Sequence, residues 1–194
     1  MKVKEKKYII IEKYKVKLFG VKIFYYNIIL NNSNKMICEN PMKMKKKKVL
    51  KSIFDRLRFL DPLFKKKKFK KKIYKNDKNI MKNIFKLFDK RHKYTYCLNN
   101  DNLLISTTKV KKSNSIIKNT LSKHIILCSD NPCCSGEMVF YKKKEKKYMV
   151  FDNNSGTYTP TRINLLQLKK SLYFLNTIIV ETNENKHKNY FKPL

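Results

Sequence analysis

The chain has 194 residues, with 47 Lys and Arg against 14 Asp and Glu, a formal net charge of +33. That length fits one domain with an extension, and a 42% hydrophobic content with twelve Phe and twelve Tyr excludes wholesale disorder. The longest apolar run, Leu18 to Leu30, is broken by Lys22 and Asn27; it falls short of the ~20 residues that a membrane-spanning helix needs, so no transmembrane segment is expected.

In chain order, Tyr8–Ile11 and Lys15–Leu30 are rich in Val, Ile, Phe and Tyr, which is consistent with strands within 8–30, either two short strands or a hairpin around Gly20. A basic tract follows at 43–72. Within it Val49, Ile53, Leu57 and Leu60 recur at helical spacing and predict a basic amphipathic helix over about 49–60, ended by Pro62 and flanked by lysine runs at 45–48 and 65–68. Such a tract suits an anionic membrane surface, nucleic-acid phosphates or a calmodulin-like partner. Its plainer reading is a core-facing helix between solvated loops.

Codon usage favours the plainer reading. The chain has no Ala or Trp, three Gly and only four Arg among its cations. Residues with AT-rich codons are all abundant, so part of the charge is the footprint of an AT-biased genome, as in a protozoan parasite. Residues 1–95 hold 31 basic and 7 acidic side chains, whereas 96–194 hold 16 and 7. This composition shift divides a lysine-rich region, 1–91, from a module at 92–182 and a polar C-terminal tail at 183–194.

The module is expected to be α+β: antiparallel hairpins packed with a C-terminal amphipathic helix and a closing strand. Tyr94–Cys97 and Leu103–Thr107 predict a hairpin around Asn99–Asn102. Glu137–Tyr141 and Tyr148–Asp152 predict a second hairpin, with Glu137 opposite Asp152, Met138 opposite Phe151 and Val139 opposite Val150. One face then carries Met138, Phe140, Met149 and Phe151. Thr159 and Pro160 read as N-cap and first residue of a helix with Leu165, Leu168, Leu172 and Leu175 on one stripe. Thr177–Thr182 reads as the closing strand.

Three polar clusters could carry chemistry: Ser122-Lys123-His124, Cys133-Cys134-Ser135-Gly136-Glu137, and Asp152-Asn153-Asn154-Ser155-Gly156-Thr157-Tyr158-Thr159-Pro160. The last lies where a strand hands over to a helix. It reads either as a tight corner of self-satisfied hydrogen bonds, with Gly156 able to take φ > 0, or as a pocket at a helix N-terminus. Glu137 directly opposite Asp152 is unfavourable unless a cation such as Lys123, a shared proton, a metal or another register relieves it. His124, Cys128, Cys133 and Cys134 lack the paired spacing of a zinc site. Five cysteines without framework spacing predict reduced thiols and a cytoplasmic or nucleocytoplasmic setting. No cofactor or metal is expected.

The same residues carry a resemblance. The order Ser122-Lys123-His124, then Ser135-Gly136-Glu137 on a strand, then Asp152 to Pro160 resembles a eukaryotic conserved domain of unknown function in fungal, algal and protozoan hypothetical proteins. That family's pattern runs SKH, then AGE, then DNNSGTYxP; Ser135 stands in place of its Ala. It is distantly similar to the C-terminal part of plant IQ-motif calmodulin-binding proteins, although this chain has no IQ motif. The resemblance implies that Ser122, Lys123, His124, Gly136, Glu137, Asp152, Asn153, Asn154, Ser155, Gly156, Tyr158 and Pro160 belong to one shared module.

The favoured function is a non-catalytic scaffold or protein-interaction module with an unknown protein partner. Two alternatives stand beside it. One is an enzyme or small-ligand site built from His124, Glu137, Asp152 and Tyr158, whose side chains would then converge within ~4 Å. The other is anionic-surface binding through 43–72.

Overall fold

The computed structural model of the chain describes residues 8–18, 21–31, 67–75, 80–88, 92–99, 102–106, 124, 127 and 132–191. The helix expected over 49–60 and the residues Ser122, Lys123 and Cys128 lie outside them. The elements are β1 (Tyr8–Leu18), β2 (Val21–Asn31), β3 (Lys67–Lys75), α1 (Ile80–Leu87), β4 (Tyr94–Asn99), β5 (Asn102–Ser106), β6 (Cys134–Lys143), β7 (Lys146–Phe151), α2 (Arg162–Ser171), β8 (Thr177–Ile179) and α3 (His187–Phe191). The fold is α+β, as expected.

Among the described residues, one eight-stranded sheet runs in the order β3-β1-β2-β5-β4-β6-β7-β8. Every pairing is antiparallel except β7 with β8. Of the two arrangements open for this segment, β1 and β2 pair as a hairpin, with Leu18 opposite Val21. The β6–β7 register is the expected one, Met138 facing Phe151 and Val139 facing Val150. The sheet runs through the composition boundary near residue 92, because β2 pairs with β5. Part of the lysine-rich region is therefore continuous with the module.

Strand pairing puts alternate residues on opposite faces. One face carries Ile9, Ile11, Ile28, Tyr96, Ile105, Met138, Phe140, Met149 and Phe151, and buries them under α1 and α2. Leu165 and Leu168 from α2, with Leu172 just after it, are fully buried there, each stabilising the fold by roughly 1.5–3 kcal/mol. Ile80, Ile84 and Phe85 of α1, with Phe88 just after it, cover the other part. Phe88 stacks on Phe140 at 4.8 Å and meets Tyr94 and Tyr26 edge-on at 5.1 and 5.0 Å. On the opposite face, Val139, Val150, Val180 and Phe191 pack together beneath α3.

Three expectations need correction. Residues 67–75, whose start belongs to the lysine run that the plainer reading places in a solvated loop, form an edge strand: pairing with β1 supplies backbone hydrogen bonds whatever the side chains. The 183–194 tail is not simply a tail, because α3 packs its Phe191 into the sheet. Finally, α2 begins at Arg162 with Thr161 as N-cap, two residues later than expected. Asn164 sets that start by accepting from both the N–H and the Oγ of Thr161 at 2.9 Å.

Candidate functional site

The site is the corner where β7 ends. Asp152 is 0% exposed and faces the α3 side of the sheet. Its Oδ1 accepts the backbone N–H groups of Glu137 at 2.7 Å and Asn154 at 2.9 Å. Its Oδ2 lies 2.8 Å from Nε2 of His187 on α3. Burial raises the Asp152 carboxyl above the ordinary carboxylate range; the hydrogen bonds from Asn154, His187 and Glu137 work against that shift. The backbone takes part too. Asp152 donates its N–H to the Glu137 carbonyl at 3.0 Å, and its own carbonyl accepts from the Tyr96 hydroxyl at 2.7 Å. The side chain thus receives the Glu137 N–H while the carbonyl turns into the core.

Gly136 is required by this crossing. A Cβ there would stand 2.1 Å from the Asp152 carbonyl oxygen and 2.9 Å from its carbon, well inside contact distance. His124 reaches the same residue: its Nε2 lies 3.1 Å from the Gly136 carbonyl oxygen. Gly156 has a different role from the one expected. Its φ lies outside the left-handed region and nothing approaches its Cβ position within 4 Å. The left-handed residue of the turn is Thr159, at φ 44°, which donates its N–H to the Ser155 carbonyl at 2.8 Å.

The remaining motif residues close the corner. Asn153 donates through Nδ2 to the Pro160 carbonyl at 3.1 Å, and its Oδ1 accepts from the N–H and Oγ of Thr182 at 3.0 and 3.2 Å. The Ser155 Oγ accepts the Tyr158 N–H at 3.4 Å. Ser155, Tyr158 and Pro160 are buried, whereas Asn154 and Gly156 are exposed. Asn164 donates through Nδ2 to the Cys133 carbonyl at 3.0 Å, fastening α2 to the start of β6.

The expected opposition of Glu137 and Asp152 occurs; Lys123, the cation named in advance, lies outside the described residues. Glu137 turns outward to Lys93, at 3.7 Å, while Asp152 turns inward to amides and His187. The four candidate acid–base groups are engaged separately: His124 with a carbonyl, Glu137 with Lys93, Asp152 with His187, and Tyr158 packed in the turn. Lys93, Tyr96, Asn164, Thr182 and His187 were missed in the sequence because their partners lie far along the chain. Only the Asn three positions after Thr161 gave a local sign of its role.

The cysteines depart from the expectation of uniformly reduced thiols. Cys133 is disulfide-bonded, while Cys97 and Cys134 are buried thiols. Cys134 Sγ lies 3.2 Å from the Tyr96 hydroxyl, and burial pushes its thiol up to about 12. No described helix is long and apolar enough to cross a membrane. Comparison of the chain with protein-family models, curated proteins and solved structures gave no match.

Proposed function

We propose that this chain is a non-catalytic protein-interaction module, related to the conserved domain that its SKH, SGE and DNNSGTYTP strings resemble. The observation that carries this reading is the bonding of Asp152. Its oxygens are taken by two amide N–H groups and His187, with none of its surface open to solvent. A reacting carboxylate must reach a substrate proton at hydrogen-bond distance, and this one is spent on joining β6, β7 and α3. Glu137 and His124 likewise serve other contacts rather than one cleft.

The test is affinity purification of the full chain from its native cells at raised salt, where diffuse attraction to a +33 chain is screened. A protein recovered at fixed stoichiometry, and retained by Glu137→Gln and His124→Gln variants, is the expected result. Turnover or saturable binding of a small molecule, abolished by those same substitutions, would overturn the reading.

A second reading rests on β3. Six of its nine residues are lysine, and it lies at the edge of the sheet. Edge lysines oppose strand-to-strand aggregation, and they also offer cations to phosphate. Because 67–75 is a strand of the sheet, the test replaces its lysines with glutamine and leaves the backbone pairing intact. Loss of a steeply salt-dependent affinity for anionic vesicles or nucleic acid would support this reading; unchanged affinity would remove it.

A further inference from the structure

Helix α2 has two faces of opposite character. Asn164, Leu165, Gln167, Leu168, Ser171 and the following Leu172 are buried against the sheet. The outward face carries Ile163, Leu166 and, just past the helix, Tyr173, which are 60%, 47% and 55% exposed. These are three of the four exposed large hydrophobic residues among the described ones, the fourth being Ile73. Scattered exposed apolar residues are ordinary, but a cluster on one rigid helix face marks an interaction surface. Arg162, Lys169 and Lys170 share this face and no acidic residue of α2 does. The Arg162 Nε reaches Glu181 at 3.4 Å, whereas Lys169 and Lys170 form no ion pair among the described residues.

We propose that this face docks an acidic amphipathic helix of another protein, with Ile163, Leu166 and Tyr173 meeting its apolar stripe and Lys169 and Lys170 its carboxylates. The proposal rests on the interaction-module reading and names the surface and the chemistry of the partner. Charge complementarity selects that occupant. A second copy of the chain would bring another +33 to a basic face. Lipid phosphates would pair with Lys170 as a partner's carboxylates do, so vesicles form a separate arm of the test. Rigid presentation by a helix fastened through its buried stripe also lowers the ordering cost of docking.

The experiment uses fluorescence anisotropy at physiological ionic strength with the full chain. The probe is a labelled peptide of about 18 residues, long enough to become helical on docking, with Leu at every third or fourth position and Glu between. The Ile163→Ser/Leu166→Ser variant keeps the full charge and alters exposed side chains only, so its fold is expected to survive; thermal unfolding checks this. The expected result is about tenfold weaker binding in this variant. Lys169→Gln/Lys170→Gln should bind more weakly and with a shallower salt dependence.

Equal binding by wild type and the Ser double variant would overturn the proposal, since it would show only general attraction to a cationic chain. Loss in that variant of binding to phosphatidylcholine vesicles with about 20% phosphatidylserine, without peptide binding, would assign the face to lipid instead. A wild-type dimer abolished by the same substitutions would assign it to self-association. In any of these cases a stoichiometric partner in the affinity purification would still uphold the interaction module, so the two failures are separable.

Discussion

Asp152 and His187 meet at 2.8 Å although 35 positions separate them. The contact fixes α3 to the end of β7, and a stacked pair of rings on α3 itself, His187 on Phe191 at 4.6 Å, holds the imidazole in place. The acidic residue most suggestive of chemistry in the sequence is thereby a structural tie.

The two motif glycines should behave oppositely. Gly136→Ala forces a Cβ against the Asp152 carbonyl, a backbone group that cannot swing away. The expected cost is about 3 kcal/mol or more, the upper part of the range for overpacking. Gly156→Ala meets nothing, and is expected to be neutral or stabilising by up to about 1 kcal/mol. Urea unfolding of the two variants checks the contrast through their midpoints at unchanged slope.

Thr159 holds a left-handed conformation, φ 44°, that suits neither its Cβ nor its branching. Thr159→Asn should relieve part of that strain and raise the melting temperature by about 2–4 °C, equivalent to roughly 1 kcal/mol for a chain of this size. An unchanged or lower melting temperature in a thermal scan would show that the threonine is not strained.

What the sequence disclosed and what it hid divide along contact range. Met138, Phe140, Met149 and Phe151 alternate across a short loop, so their register and shared face were readable from spacing alone. The same holds for the Leu165, Leu168 and Leu172 stripe. The strand Lys67–Lys75 was not anticipated because composition says little about a strand whose backbone is claimed by β1, nearly 60 residues earlier. In the site, Gly136 was legible as a special residue, but the reason lies in Asp152 across the hairpin. His187 gave no sign: a lone histidine in a polar tail acquires its role only when α3 folds onto the sheet.

Alkaline pH offers a test of the opposite face near β1 and β2. Tyr14 and Tyr25 stack at 5.1 Å beside the buried Glu12, which accepts the Tyr14 hydroxyl. Burial, with Glu12 adding to it, raises both phenols from 10.0 to about 12. The folded state therefore keeps protons that the unfolded chain has released, and the stability they contribute is present below pH 10 and lost as pH rises toward 12. The unfolding free energy of the wild type should fall through that window more steeply than that of a Tyr14→Phe/Tyr25→Phe variant. Parallel pH profiles for the two proteins would contradict the assignment.

The Cys134 thiol should be inert in the native protein. It is fully buried and its pKa stands at about 12, leaving almost no thiolate at pH 8. Mass spectrometry after iodoacetamide treatment should find Cys134 unmodified in the native protein and alkylated after denaturation. Rapid native alkylation of that peptide would show that the Tyr96–Asp152 corner opens readily.

The central claim, that the motif is a structural tie between sheet and C-terminal helix, is tested most directly by a double-mutant cycle on Asp152 and His187. Unfolding free energies of the wild type, Asp152→Ala, His187→Ala and the double variant isolate their mutual interaction. The account predicts a coupling of about 1–3 kcal/mol, as for a buried charge-assisted hydrogen bond. Effects that add to within about 0.5 kcal/mol would contradict it.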